Sequence, residues 1–204
     1  MTTQVDFLAP LLAPRTLRGD PLPDSLWRVT HWNTQSIRDR DTGDMLAANR
    51  DEFDNLEDFR ADIARHVVWR NRVPTHFISV WGTYPRAHNW IQMECIWAPA
   101  MMWEIDTKIA LQEGARIMEV ELLMARLDFN HPARPQHEWV FLHRIPGKAI
   151  KSVVLWKPFW GKETRRPRKY CLSHSMLITT ISATDAAAYS SARPYCAVEA
   201  GRWS

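Results

Sequence analysis

Three sets of residues in this chain have types and spacings that could do chemistry. Gln136-His137-Glu138 sets an amide and a carboxylate two positions apart, on one side of a strand if the strand begins early enough. Arg28, in Leu26-Trp27-Arg28-Val29, carries a planar fork that can grip two oxygens of a phosphate, which a lysine cannot reproduce. Ser79 is a lone hydroxyl inside the apolar run Phe77-Ile78-Ser79-Val80-Trp81. Plainer readings stand beside each. Arg28 could be salt-bridged at a strand edge, Ser79 a small core residue bonded to backbone, and Glu138 a solvated carboxylate after a polar loop.

Other chemistries find less support. His131, His137, His143 and Cys171-Leu172-Ser173-His174 lack paired-ligand spacing such as CxxC or HExxH, so no metal site is expected. With seven glycines there is no Gly-rich phosphate loop. Met101-Met102-Trp103 and most of the eleven tryptophans read as core. The formal charge of +3 does not by itself imply a nucleic-acid partner. Its distribution is uneven. Arg38 to Asp62 holds nine acids against four arginines, whereas Lys157 to Lys169 holds six cations against Glu163. That basic run could bind nucleic acid or direct nuclear entry, or it could be a solvated tail.

Three cysteines without a CxxC pair fit a reducing compartment rather than a disulfide framework. The N-terminal stretch has no charged leader, and Pro10 and Pro14 break its apolar part, so no signal peptide is expected. No run reaches the roughly 18 apolar residues of a membrane span. The expectation is a soluble intracellular protein, cytoplasmic or nuclear, with no membrane partner.

The elements that must position these residues follow from periodicity. Residues 1–21, with Pro10, Pro14 and Pro21, read as an extended arm, 22–156 as one domain, and 157–204 as a basic and then Ser/Ala/Thr-rich segment. Ser25 to Thr30 reads as a strand, and Asn33 to Asn49 as loop. Phe53, Leu56, Phe59, Ile63 and Val67 recur at helical spacing after an acidic first turn. His76 to Trp81 is a strand; Thr83 can cap a helix to about Trp97 that tolerates Pro85 in its first turn. Met101 to Asp106 is a strand, Arg116 to Leu127 a helix, Glu138 to His143 a buried strand and Lys151 to Trp156 a final strand.

Taken in order, these stretches resemble the ADP-ribosyltransferase superfamily, in its toxin-type Arg-Ser-Glu pattern. Leu26 to Val29 is similar to the Arg strand, Phe77 to Trp81 with Ala87 and Trp90 to the Ser strand and its helix, and Gln136 to Glu138 to the triplet. Ile145-Pro146-Gly147-Lys148-Ala149-Ile150 is similar to the ending of the following strand. Fungal domains of the superfamily add matches at Pro74 to Trp90, Glu104 to Thr107 and Leu142 to Ile150, so the likeness spans about two-thirds of the chain.

The resemblance implies an α+β fold with a split antiparallel or mixed sheet and flanking helices. It implies NAD as substrate, cleaved between nicotinamide and ribose, with ADP-ribose passing to a protein acceptor or to water. Glu138 would stabilise the cationic sugar, Gln136 would orient the acceptor, and Arg28 and Ser79 would hold phosphate or ribose oxygens. His31 would serve if the chain followed the variant with a first-strand histidine. The pattern departs at Val80-Trp81, where polar residues are usual. Trp81 would either stack on nicotinamide or fill the cleft, leaving a non-catalytic interaction module.

Overall fold

Leu26, Ile78, Val80 and the run Trp139 to Leu142 bury apolar side chains on both faces of a sheet, and that pattern sets the architecture. The structure is a computed structural model and describes residues 21–68, 71–95, 99–129 and 137–156, with the backbone of 179–181. Its strands are β1 (Ser25–His31), β2 (Ile37–Arg38), β3 (Met45–Leu46), β4 (Phe77–Trp81), β5 (Ala100–Asp106), β6 (Arg116–Glu119), β7 (Glu138–Leu142), β8 (Arg144–Ile145), β9 (Ile150–Trp156) and β10 (Thr179–Ile181). Helices α1 (Leu56–His66), α2 (Tyr84–Glu94), α3 (Thr107–Gln112) and α4 (Val120–Arg126) flank them.

The fold is α+β. Strands run antiparallel in a large sheet ordered β10-β9-β5-β1-β4-β7-β6 and a small one ordered β2-β3-β8. No helix among the described residues is long and apolar enough to cross a membrane. Gln136, the arm before Pro21, the basic run 157–169 and His131, Cys171 and His174 lie outside the described residues.

Three apolar clusters hold the layers. Leu26, Ile78, Val80, Trp103 and Phe141 form one, between the large sheet and the small one. Phe59 and Ile63 of α1 join Leu123 of α4 over β4 and β7 in the second. Ala87 and Ile91 of α2 cover Val29 and Met102 in the third. Asn55 caps α1 by accepting from the Asp58 amide, and Glu57, Asp58 and Arg65 match the helix dipole at each end. Thr83 occupies the N-cap of α2, with Pro85 in the first turn, but its hydroxyl makes no cap bond.

The helix expected over 116–127 divides into β6 and α4. Ile117 and Met118 pair with Phe141 and Val140 of β7. Strand alternation sends Ile117 into the first cluster and Met118 into the second, so two-sided burial overrides the helical spacing. The polar stretch 33–49, expected as loop, contains β2 and β3.

Two of the resembling motifs turn out to brace the sheet. Glu104 accepts from Ser25 at 2.9 Å and Ser152 at 3.0 Å, with Lys151 at 3.0 Å, tying β1, β5 and β9 together. Asp106 caps α3 through the Ile109 amide at 3.0 Å. Asp44 receives Arg144 at 2.9 Å and the Gly147 amide at 2.8 Å, fastening the turn before β9 to the β2–β3 hairpin. A Cβ on Gly147 would lie 2.5 Å from the Thr42 carbonyl oxygen, so only glycine fits there.

Candidate active site

β1 and β5 pair along their whole length, but β1 and β4 pair at one position, Trp27 opposite Trp81. Beyond that pair the sheet opens, and a cleft of about 220 Å³ fills the gap. Arg28 spans it. Its Nη1 donates to the Ser79 carbonyl at 2.7 Å and its Nη2 to Ser36 Oγ at 3.1 Å. Arg28 therefore fastens β1 to β4 where the ladder does not.

β4 and β7 are in register, with Trp81 opposite Glu138 and Ser79 opposite Val140. Directly paired residues share a face, and Ser79 lies two positions from Trp81, so Glu138 is its diagonal neighbour. The Gly82 amide donates to His137 O at 2.8 Å, fixing the start of β7. The Ser79 hydroxyl donates to the Glu138 carboxylate. Burial raises the Glu138 pKa, while that hydrogen bond and the nearby Arg28 charge act against the rise. Burial lowers the Arg28 pKa to about 10, with Glu138 opposing, so the guanidinium stays charged at neutral pH.

His66 completes the group. Its Nδ1 lies 2.8 Å from Thr75 Oγ1 and its Nε2 lies 2.8 Å from Ser79 Oγ. Ser79 has one proton, already given to Glu138, so its oxygen accepts from His66 Nε2–H. His66 Nδ1 then accepts from Thr75, and a chain Thr75–His66–Ser79–Glu138 results. Burial and the Arg28 charge push the His66 pKa down to about 4, which keeps the ring neutral as this chain requires. One helical turn earlier, the buried Asp62 carboxylate takes the His76 amide at 3.0 Å and His76 Nδ1 at 2.8 Å, tying α1 to the start of β4.

The other wall is aromatic. Trp81, Trp90 and His31 line the cleft, with the His31 and Trp90 ring centres 5.6 Å apart. Trp81 packs toward α2 and leaves the cleft open rather than plugging it. His31 Nδ1 accepts from the Asn33 amide at 3.3 Å, and burial, then Arg28 and Arg72, lower its pKa.

Arg28, Ser79, Glu138, Trp81 and His31 thus line a single cleft, while Gln136 lies outside the described residues. No sequence motif singles out His66, Thr75 or Arg72. The partners of His66 stand 9 and 13 residues away across a helix–strand connection, a separation without a repeating pattern. Its signal was faint: a histidine one turn after an acid on the buried face of a helix. Among the described residues, no group of three or more His, Cys, Asp or Glu is arranged to hold a metal ion.

Fold and cleft together define an α+β domain with a hydrogen-bonded Ser–Glu pair beside a buried arginine. The chain belongs to the family described as a domain of unknown function (DUF7587), which matches residues 21–158. No curated protein matches it. Among solved structures, EcPltA is similar at 14% identity and a TM-score of 0.35, covering 68% of this chain and 78% of that chain.

Proposed function

We propose that this domain cleaves the bond between nicotinamide and ribose in NAD and passes ADP-ribose to a protein side chain or to water. The observation that carries the proposal is the convergence of Arg28, Ser79 and Glu138, from three different strands, on one open cleft. In the reaction the C–N electron pair leaves with nicotinamide, and positive charge grows on the sugar as in glycoside cleavage. The Glu138 carboxyl group, fixed by the Ser79 hydroxyl, faces that charge without needing to reorient. The acceptor oxygen or nitrogen then bonds to the sugar carbon and releases its proton. Arg28 holds a phosphate or ribose oxygen, and the Trp81 wall offers a surface on which nicotinamide can stack.

The cleft volume of about 220 Å³ is below the roughly 300 Å³ at which whole-ligand pockets begin. It suits nicotinamide and its ribose, with the rest of the dinucleotide along the mouth. Incubation of the pure chain with NAD tests the reading, with free nicotinamide and free or protein-linked ADP-ribose measured. Release that Glu138→Ala abolishes is expected. Equal silence of wild type and variant would leave the domain as a non-catalytic relative.

A further inference from the structure

We propose that Arg72 is a second anion-binding arm of this cleft, so that its ligand carries a diphosphate with one charged group at Arg28 and another at Arg72. The inference rests on the reading that the cleft takes a dinucleotide. It also adds a specificity residue that neither the sequence motifs nor the Ser–Glu pair identifies.

Arg72 lies in the segment between α1 and β4, and it lines the cleft at its rim. The position of that segment is set from the opposite side: Gln35 Nε2, in the β1–β2 connection, donates to the Arg72 carbonyl at 2.8 Å. This bond joins the two edges of the cleft and holds residue 72 at the mouth. Arg28, His31 and Arg72 all line this cleft, and after burial the two arginine charges are the causes that lower the His31 pKa. Among the described residues Arg72 has no carboxylate within ion-pair distance. Among the described residues Glu138 is the only acid lining the cleft, and it already interacts with Arg28 and Ser79.

Among the described residues, two arginines and one carboxylate therefore line the cleft, with the pKa values of His31 and His66 both lowered. The neighbouring lining groups at this end are Asn33, Thr34, Gln35, Ser36 and Asn71, neutral side chains that add no negative charge. A cleft with an excess of guanidinium and a volume too small for a dinucleotide fits a ligand whose anionic part continues along the rim. Arg suits this task because its fork can take two oxygens of one phosphate.

Calorimetric titration of the full chain with inorganic pyrophosphate, NAD and nicotinamide riboside tests the proposal, using wild type, Arg72→Ala and Arg72→Lys. Arg72→Ala is expected to weaken pyrophosphate and NAD about tenfold or more, the range for a lost charge-assisted hydrogen bond. The loss should be smallest for nicotinamide riboside, which has no phosphate, and Arg72→Lys should fall between. Residue 72 is exposed, so an unchanged melting temperature will certify the variant's fold. Arg72→Ala binding pyrophosphate and NAD as wild type does would overturn the inference, as would a wild type that binds neither. NAD bound through Arg72 with no nicotinamide released would instead sink the enzymatic reading and leave Arg72 standing. Nicotinamide released with equal KM in wild type and Arg72→Ala would do the reverse.

Discussion

Arg28 Nη1 lies 2.7 Å from the carbonyl oxygen of Ser79 and bridges two strands whose backbones pair only at Trp27 and Trp81. The same guanidinium is both a cleft wall and a structural tie. Arg28→Lys keeps a charge but cannot reach Ser79 O and Ser36 Oγ together. We expect it to cost about 2 kcal/mol of stability, in the range for hydrogen bonds to charged groups, and to raise KM for NAD. Chemical denaturation and steady-state kinetics on one preparation check both.

Glu138→Gln keeps shape and removes charge. We expect nicotinamide release to fall by about 10²-fold or more, as for loss of a preorganised electrostatic group. The same change should raise thermal stability at neutral pH. Burial raises the Glu138 pKa above its ordinary 4.5, so the folded state binds more protons than the unfolded between 4.5 and the raised value. Wild-type stability therefore drops as pH rises through that window, and the gain from Glu138→Gln should vanish below it. Melting curves across pH, wild type against variant, measure this.

His66 predicts the opposite slope. Its folded pKa of about 4 lies below the ordinary 6.5, so the unfolded chain takes up the proton first. The contribution is complete above 6.5 and disappears as pH falls toward 4, on the order of 3 kcal/mol in all. His66→Gln should flatten the stability profile in that interval. A profile as steep as wild type's would show that another group sets the acid limit.

Gly147→Ala drives a methyl group into the Thr42 carbonyl and the Gly43 backbone. Neither can retreat, since Asp44 pins this turn to Arg144 and the Gly147 amide. Overpacking of this kind costs about 1–3 kcal/mol, and we expect a lower melting temperature with unchanged NAD affinity.

Trp81→Ala removes part of the aromatic wall. We expect weaker nicotinamide binding and reduced quenching of tryptophan fluorescence by nicotinamide. Unaltered quenching would assign the stacking surface to Trp90.

How much of this was legible beforehand differs by element. Strands such as Phe77 to Trp81 and Glu138 to Leu142 announce themselves because burial on both faces leaves an unbroken apolar run. β6 did not, because Ile117, Val120 and Leu123 happen to fall at helical spacing while the β7 partners lie twenty or more residues on. β2 and β3 have two residues each, too few to show any period. Arg28, Ser79 and Glu138 could be read because each sits inside a strand motif. His66 and Arg72 could not, because helix and loop positions acquire meaning only when the fold brings His66 to Thr75 and Ser79, and Arg72 to Gln35.

The single paired position between β1 and β4 bears on how this domain would decay over evolutionary time. If the domain performs the proposed reaction, a lineage that lost it would still need Arg28 to keep the half-sheets joined, whereas burial disfavours the charged form of Glu138, which would be shed early. Retention of Arg28 among descendants would therefore say little about activity. Under the proposed function, Glu138 is the position that would separate a working member from a retired one.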